Sequence, residues 1–155
     1  MATVAEHLQG RGVPFELIPH ERTYTSIEEA QALGIAADEV LKTIVLDTAA
    51  GHALAVIPAS QRLDIKRTRE AVGDTHARFA TEEEMERDFP GYELGALPPL
   101  GSLLGAPTYV DLEVLEHTTV VFAAGNQKES VKVRTEDLFR DEPHTPAPLT
   151  KAAKE

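Results

Sequence analysis

The segment Gly91-Tyr92-Glu93-Leu94-Gly95-Ala96-Leu97-Pro98-Pro99-Leu100-Gly101 constrains this chain most. Three glycines and two prolines in eleven residues exclude a regular helix or strand there. The segment is also too apolar for an ordinary solvated loop. Glycine permits positive φ and close approach of the backbone to a ligand. Pro98 and Pro99 remove two amide donors and fix φ. The expected product is a stiff loop whose remaining N–H groups can face a bound oxyanion or phosphate. The same composition also suits a well-packed connection between two elements.

Local signals on either side predict alternating short elements. Thr3 caps a first helix with Val4 and Leu8 on one face, closing at Gly10 or Gly12. Val13 to Pro19 reads as a strand. Ser26-Ile27-Glu28-Glu29 reads as a capping box for a helix ending at Gly34. Lys42 to Thr48 and Ala53 to Pro58 form a hairpin around residues 49–52. Leu63 to Val72 is helical, and Ala77 to Ala80 is a short strand. Thr81 and Glu84 open an acidic helix that runs to Phe89. Beyond the loop, Thr108 to Asp111, Thr118 to Ala123 and Ser130 to Val133 read as strands, and Thr135 to Phe139 as a helix. Hairpins and helices mix without regular βαβ alternation, so the fold class is α+β with a mixed or antiparallel sheet. Residues 1–140 form one domain, and the Pro- and charge-rich residues 141–155 are expected to be a mobile tail.

Composition narrows the function classes. The chain of 155 residues has no Cys, which excludes disulfides, thiolate metal sites and a cysteine nucleophile. His residues are scattered and no credible metal spacing exists, so no metal or other cofactor is expected. No Walker A segment, dinucleotide fingerprint or G-x-S-x-G elbow occurs. No apolar run approaches the length of a membrane span, and the first residues lack a signal-peptide core, so a cytoplasmic protein without a membrane partner is expected. The net charge of −11 opposes bulk binding of duplex DNA or RNA. One local basic patch is available if Arg62, Lys66 and Arg69 share a helix face. Such a patch could contact tRNA, but on spacing alone that face better suits a solvated surface pairing with Asp64 and Glu70.

Lys42 is a lone cation opening an apolar, β-branched run, Lys42-Thr43-Ile44-Val45-Leu46. Val120-Val121-Phe122-Ala123-Ala124-Gly125-Asn126 is a strand ending at a glycine. Between them lie Ile57-Pro58-Ala59, then Leu63-Asp64-Ile65-Lys66, then the glycine-proline loop. In this order and spacing, from about His20 to about Arg140, the chain resembles the YbaK/ProX/EbsC family of freestanding aminoacyl-tRNA deacylases, related to the editing domain of prolyl-tRNA synthetases.

The resemblance implies a curved, barrel-like sheet flanked by helices. It implies trans-editing hydrolysis of the ester of a mischarged aminoacyl-tRNA, recognised at its 3′ end. The amino acid would be small, such as Cys, Ala or Ser, on the proline tRNA or another tRNA. A synthetase is a further partner the resemblance admits. Lys42 would hold the substrate electrostatically, while Gly95 and Gly101 would offer amide donors. Thr43, Ala96, Leu97, Pro98, Pro99, Gly125 and Asn126 would line the substrate site, with His20 nearby. The chain departs from the family where Ala96 replaces a common Gly and Pro98 a common Ser. These departures and the acidity leave open a binding module of the same fold, recognising a tRNA end, a nucleotide or a synthetase without hydrolysis.

Overall fold

The computed structural model describes residues 3–151. Thr3 caps α1 (Val4–Gly10) through a complete capping box with Glu6. The chain then forms β1 (Phe15–Pro19) and α2 (Ser26–Leu33). The cap of α2 is Thr25 and not Ser26: the Thr25 hydroxyl accepts the Glu28 N–H at 3.1 Å. Glu28 in turn reaches the Tyr24 N–H at 2.8 Å, one residue before the cap. Ser26 is already helical and buried. A 3-10 turn at Ala37–Glu39 leads into the hairpin of β2 (Leu41–Thr48) and β3 (Gly51–Pro58), paired in register from Leu41 with Pro58 to Thr48 with Gly51.

Asp64 caps α3 (Ile65–Val72), and β4 (Arg78–Phe79) returns to the edge of β2. α4 (Glu82–Asp88) carries the expected Thr81–Glu84 capping box. The glycine-proline loop ends in the single turn of α5 (Gly101–Leu104). β5 (Thr108–Asp111), β6 (Thr119–Ala123), β7 (Glu129–Arg134), α6 (Thr135–Phe139) and β8 (Thr145–Ala147) complete the order.

Two sheets result. One has the order β1-β7-β6, antiparallel throughout. The other has the order β4-β2-β3-β5-β8, with β3, β5 and β8 parallel. The α+β class is as expected. Among the described residues the sheets meet at one bridge, Val40 to Val121, and do not close into a barrel. The central core lies between them: Leu41, Val56 and Val110 face Val120, Phe122, Val131 and Val133, closed by Val4 and Leu8 of α1 and Leu138 of α6. Ile44, Leu46, Ala53, Ala55 and Ile57 occupy the opposite face of the larger sheet, under α3 and the C-terminal segment. Both faces of β3 are thus covered, and its near-continuous apolar run follows from that.

The expected mobile tail meets a different arrangement. β8 pairs with β5, and Leu149 is fully buried. The Leu149 N–H donates to Asp111 Oδ1 at 2.8 Å, and its carbonyl accepts the Asp64 N–H at 2.7 Å. Pro146 is tolerated because β8 is an edge strand, where a missing amide donor leaves no partner unsatisfied. Only the last four residues of the tail, 152–155, lie outside the described residues. Leu149→Ala should therefore lower unfolding free energy by about 2–5 kcal/mol, the usual cost of emptying a buried leucine site. Urea denaturation measures this, and a variant as stable as the parent would show the segment to be dispensable.

Candidate active site

A cavity of about 260 Å³ opens where α2, β2 and the glycine-proline loop converge. The first turn of α2 supplies Thr25, Ser26 and Ile27, and the start of β2 supplies Leu41, Lys42 and Thr43. The loop contributes Gly95 and Leu97, while Ala59, Ala123 and Tyr24 complete the lining. Four residues expected from sequence therefore meet there: Lys42, Thr43, Gly95 and Leu97.

The polar groups of this lining are unusually free. Thr43 Oγ1 is buried without a hydrogen-bond partner, a condition that folded proteins seldom leave unexplained. The Gly95 and Leu97 amides donate to nothing among the described residues, nor do those of Ser26 and Ile27. The latter two belong to the open N-terminal turn of α2, where helix geometry leaves donors unpaired and the dipole is positive. Among the described residues no carboxylate or imidazole lines the cavity.

Gly95 adopts φ +81°, and a Cβ there would come within 2.9 Å of both Tyr24 O and Gln127 Nε2. Its fit depends on Gln127, a residue that no motif or periodicity marks out. Gln127 is 4% exposed, and its side chain donates to Leu94 O at 2.6 Å and, more weakly, to Tyr24 O at 3.4 Å. Its backbone N–H donates to Glu93 Oε2 at 2.5 Å. That hydrogen bond, with Arg22 beside it, holds the Glu93 carboxyl below its usual range. Gly125 seals the other side: its N–H donates to Ala96 O, and its carbonyl accepts the Glu93 N–H.

Other expected site residues stand elsewhere. Lys42 is exposed, not buried in its strand. Its cross-strand partner is Ile57, so its Cβ leaves on the face of Ile44 and Leu46, opposite to Thr43 and Val45. It still borders the cavity because β2 has no neighbour on its outer side there. Ala96, Pro98 and Pro99 are buried behind the lining, as packing for the loop. Gly101 starts α5, where an added Cβ would lie 2.2 Å from Ala106 O and Thr108 Oγ1. Close packing, not substrate, explains that glycine. Gly125 and Asn126 line a separate groove with Tyr92 and Leu17. Arg62 precedes α3, so it shares no helix face with Lys66, and Arg69 is tied to Ala77 O at 2.8 Å.

His20 also lies outside the cavity lining. Its Nε2 meets Ser130 Oγ at 2.8 Å and its Nδ1 meets Glu21 O at 2.7 Å. Ser130 is also hydrogen-bonded to the buried carboxyl of Glu29 on α2. This chain of three side chains fixes α2 against β7, and so positions the first turn of the helix.

A small cavity lined by residues whose amides are unpaired, with a lysine at its rim, suits hydrolysis of an acyl ester by positioning and charge stabilisation. Residues 20–140 match the family model for the aminoacyl-tRNA editing domain, and the chain belongs to that family. EbsC of Enterococcus faecalis, named as a candidate Cys-tRNA(Pro)/Cys-tRNA(Cys) deacylase, is 29% identical over 111 residues, covering 71% of this chain and 67% of that protein. The prolyl-tRNA editing protein ProX of Acetoanaerobium sticklandii is 28% identical over 133 residues, covering 81% of this chain and 80% of that protein. A crystal structure described as a candidate trans-editing enzyme for prolyl tRNA synthetase has a TM-score of 0.84 at 25% identity, covering 98% of this chain and 99% of that one.

Burial pushes the Glu29 carboxyl above its usual range, opposed by its hydrogen bond to Ser130 and by His20. A raised carboxyl favours the protonated folded state. Its contribution is full below the ordinary value of 4.5 and is lost as pH rises through the higher folded value. Glu29→Gln keeps a partner for Ser130 without a charge to desolvate. Thermal denaturation should show this variant gaining stability relative to the parent as pH rises from 4 to 8. A constant difference across that range would contradict the assignment.

Proposed function

We propose that this protein hydrolyses the ester linking a small amino acid to the terminal ribose of a mischarged tRNA, acting in trans. The observation that carries the reading is the shared lining of one small cavity by unpaired amides, the unpaired Thr43 hydroxyl and Lys42. Membership of the editing family and the deacylase and editing names of the relatives support it.

In this reading the aminoacyl group enters between Leu41, Leu97, Ala59 and Ala123. Water adds to the ester carbonyl carbon. The negative charge that develops on the carbonyl oxygen is met by the Gly95 and Leu97 amides or by those opening α2. The carbon–oxygen bond to the ribose then breaks, and a proton passes to the ribose oxygen. Lys42 stands at the rim, where it meets the negative charge of the adjoining phosphate. Among the described residues no carboxylate or imidazole base lines the cavity, so catalysis rests on orientation and preorganised donors. Among the described residues no group of three His, Asp or Glu side chains could hold a metal ion, and turnover is proposed to proceed without one.

At about 260 Å³ the cavity is smaller than the roughly 300–1,000 Å³ of drug-sized sites. Size selection follows, since one methylene is worth about 1–3 kcal/mol in such a pocket. Purified protein should cleave alanyl, cysteinyl or seryl esters of tRNA faster than phenylalanyl or leucyl esters, with or without EDTA. Leu97→Ala should admit larger acyl groups. The Ala96 methyl lies outside the lining, so Ala96→Gly should leave the range of accepted acyl groups unchanged. Faster cleavage of aromatic esters by the parent protein would overturn the placement of the pocket. Intact esters at stoichiometric protein would favour a binding module instead.

Lys42→Ala should lower kcat/KM by about 10²–10³, the scale of one preorganised electrostatic group. Its fold should be retained, because the exposed side chain contributes little packing. Unchanged kinetics would remove Lys42 from the mechanism.

A further inference from the structure

A second depression, of about 310 Å³, begins at Lys42 and runs over the opposite face of β2. It is lined by Lys42, Arg62 and Lys151, by Phe79, and by Ile44, Gln61 and Leu63. Three cations without a carboxylate are unexpected on a chain of net charge −11. Among the described residues outside this depression, Arg22, Arg67, Arg78, Arg87, Arg134 and Arg140 each lie within 4.0 Å of an Asp or Glu oxygen, while Arg11, Lys66, Arg69, Lys128 and Lys132 do not. Among the described residues, Lys42, Arg62 and Lys151 also have no such partner. What distinguishes this cluster is that its three cations share one depression with no acidic lining.

The cluster is built by tertiary structure. Leu63 bridges antiparallel to Thr150, and the Lys151 N–H donates to Arg62 O at 3.0 Å. The C-terminal segment is thereby fastened beside the residues that precede α3, and Lys151 comes next to Arg62. Strand alternation turns Lys42 toward the same face. On the neighbouring edge strand β4, Phe79 is 51% exposed. An open aromatic ring among unpaired cations is the combination that binds single-stranded nucleic acid, with the ring stacking a base and the cations holding phosphates.

We propose that this shelf receives the single-stranded 3′ end of the tRNA. Phe79 stacks one unpaired base, and Arg62 and Lys151 hold flanking phosphates. Lys42 serves both the shelf and the cavity where the ester is placed. The inference rests on the proposed function and names the surface that delivers the substrate to that site. The acidic remainder of the protein repels the duplex stem, so contact is confined to the end of the strand. With three phosphates neutralised at about 0.7 each for single strands, log affinity should fall against log salt with a slope of only about −2.

The test is fluorescence anisotropy with a labelled five-nucleotide RNA carrying the 3′-terminal CCA of tRNA. It is run beside KM measurements on aminoacyl-tRNA. Removing both cations, Arg62→Ala with Lys151→Ala, should weaken oligonucleotide binding at least tenfold, flatten the salt slope by about 1.4, and raise KM. Phe79→Ala should weaken binding roughly five- to hundredfold while leaving the slope unchanged. Lys66→Ala, exposed on α3 outside the depression, is the control and should change neither value. Circular dichroism of each variant confirms the fold. Failure of the parent protein to bind the oligonucleotide, or binding insensitive to both sets of substitutions, overturns the shelf. If the oligonucleotide binds as described but no ester is cleaved, the shelf stands and the hydrolytic reading falls.

Discussion

The site depends on one buried side-chain amide. Gln127 reaches from the turn between β6 and β7 to the carbonyls of Leu94 and Tyr24. These two carbonyls belong to segments some seventy residues apart, the glycine-proline loop and the approach to α2. Each would otherwise be an irregular segment free to move. Joined through Gln127, they form opposite walls of one cavity. Gly95 sits in the gap, and no other residue fits, because a Cβ would strike both the amide and the Tyr24 carbonyl. A buried polar group left without partners costs about 1–3 kcal/mol, so the amide and its two acceptors constrain one another.

A second constraint acts through the C-terminal segment. Residues 145–147 pair with β5, Leu149 docks into the face of the large sheet, and Thr150 bridges to Leu63. The same hydrogen bonds that cover Ile44 and Leu46 also set Lys151 beside Arg62. Packing and charge placement are therefore not separable in this region. A change that loosens the segment exposes apolar surface and disperses the cations together.

Most elements were legible locally. The capping boxes at Thr3 and Thr81, the β2–β3 hairpin and the β-branched runs of β6 and β7 depend on neighbours a few residues away. Their signals therefore survive in the sequence. The misplaced cap at Ser26 shows the limit of this reading: Thr and Ser are adjacent and both can cap, and burial of Ser26 chose between them. The tail was misread because Pro and charge indicate exposure on average. An edge strand accepts both.

The sequence by itself determined the α+β class, the stiff loop, the absence of thiol chemistry and the order of motifs that resembles the editing family. These follow from residue type and short spacing. Only tertiary structure decided which loop residues face the cavity, because burial of Ala96, Pro98 and Pro99 depends on what packs behind them. It also decided that Gln127 is the clamp, that His20 serves Glu29 and Ser130, and that Lys42 borders two surfaces. Lys42 does so because strand alternation and a free sheet edge coincide at that residue. Each of these outcomes joins segments distant in the chain, and such contacts leave no periodic trace in a single sequence.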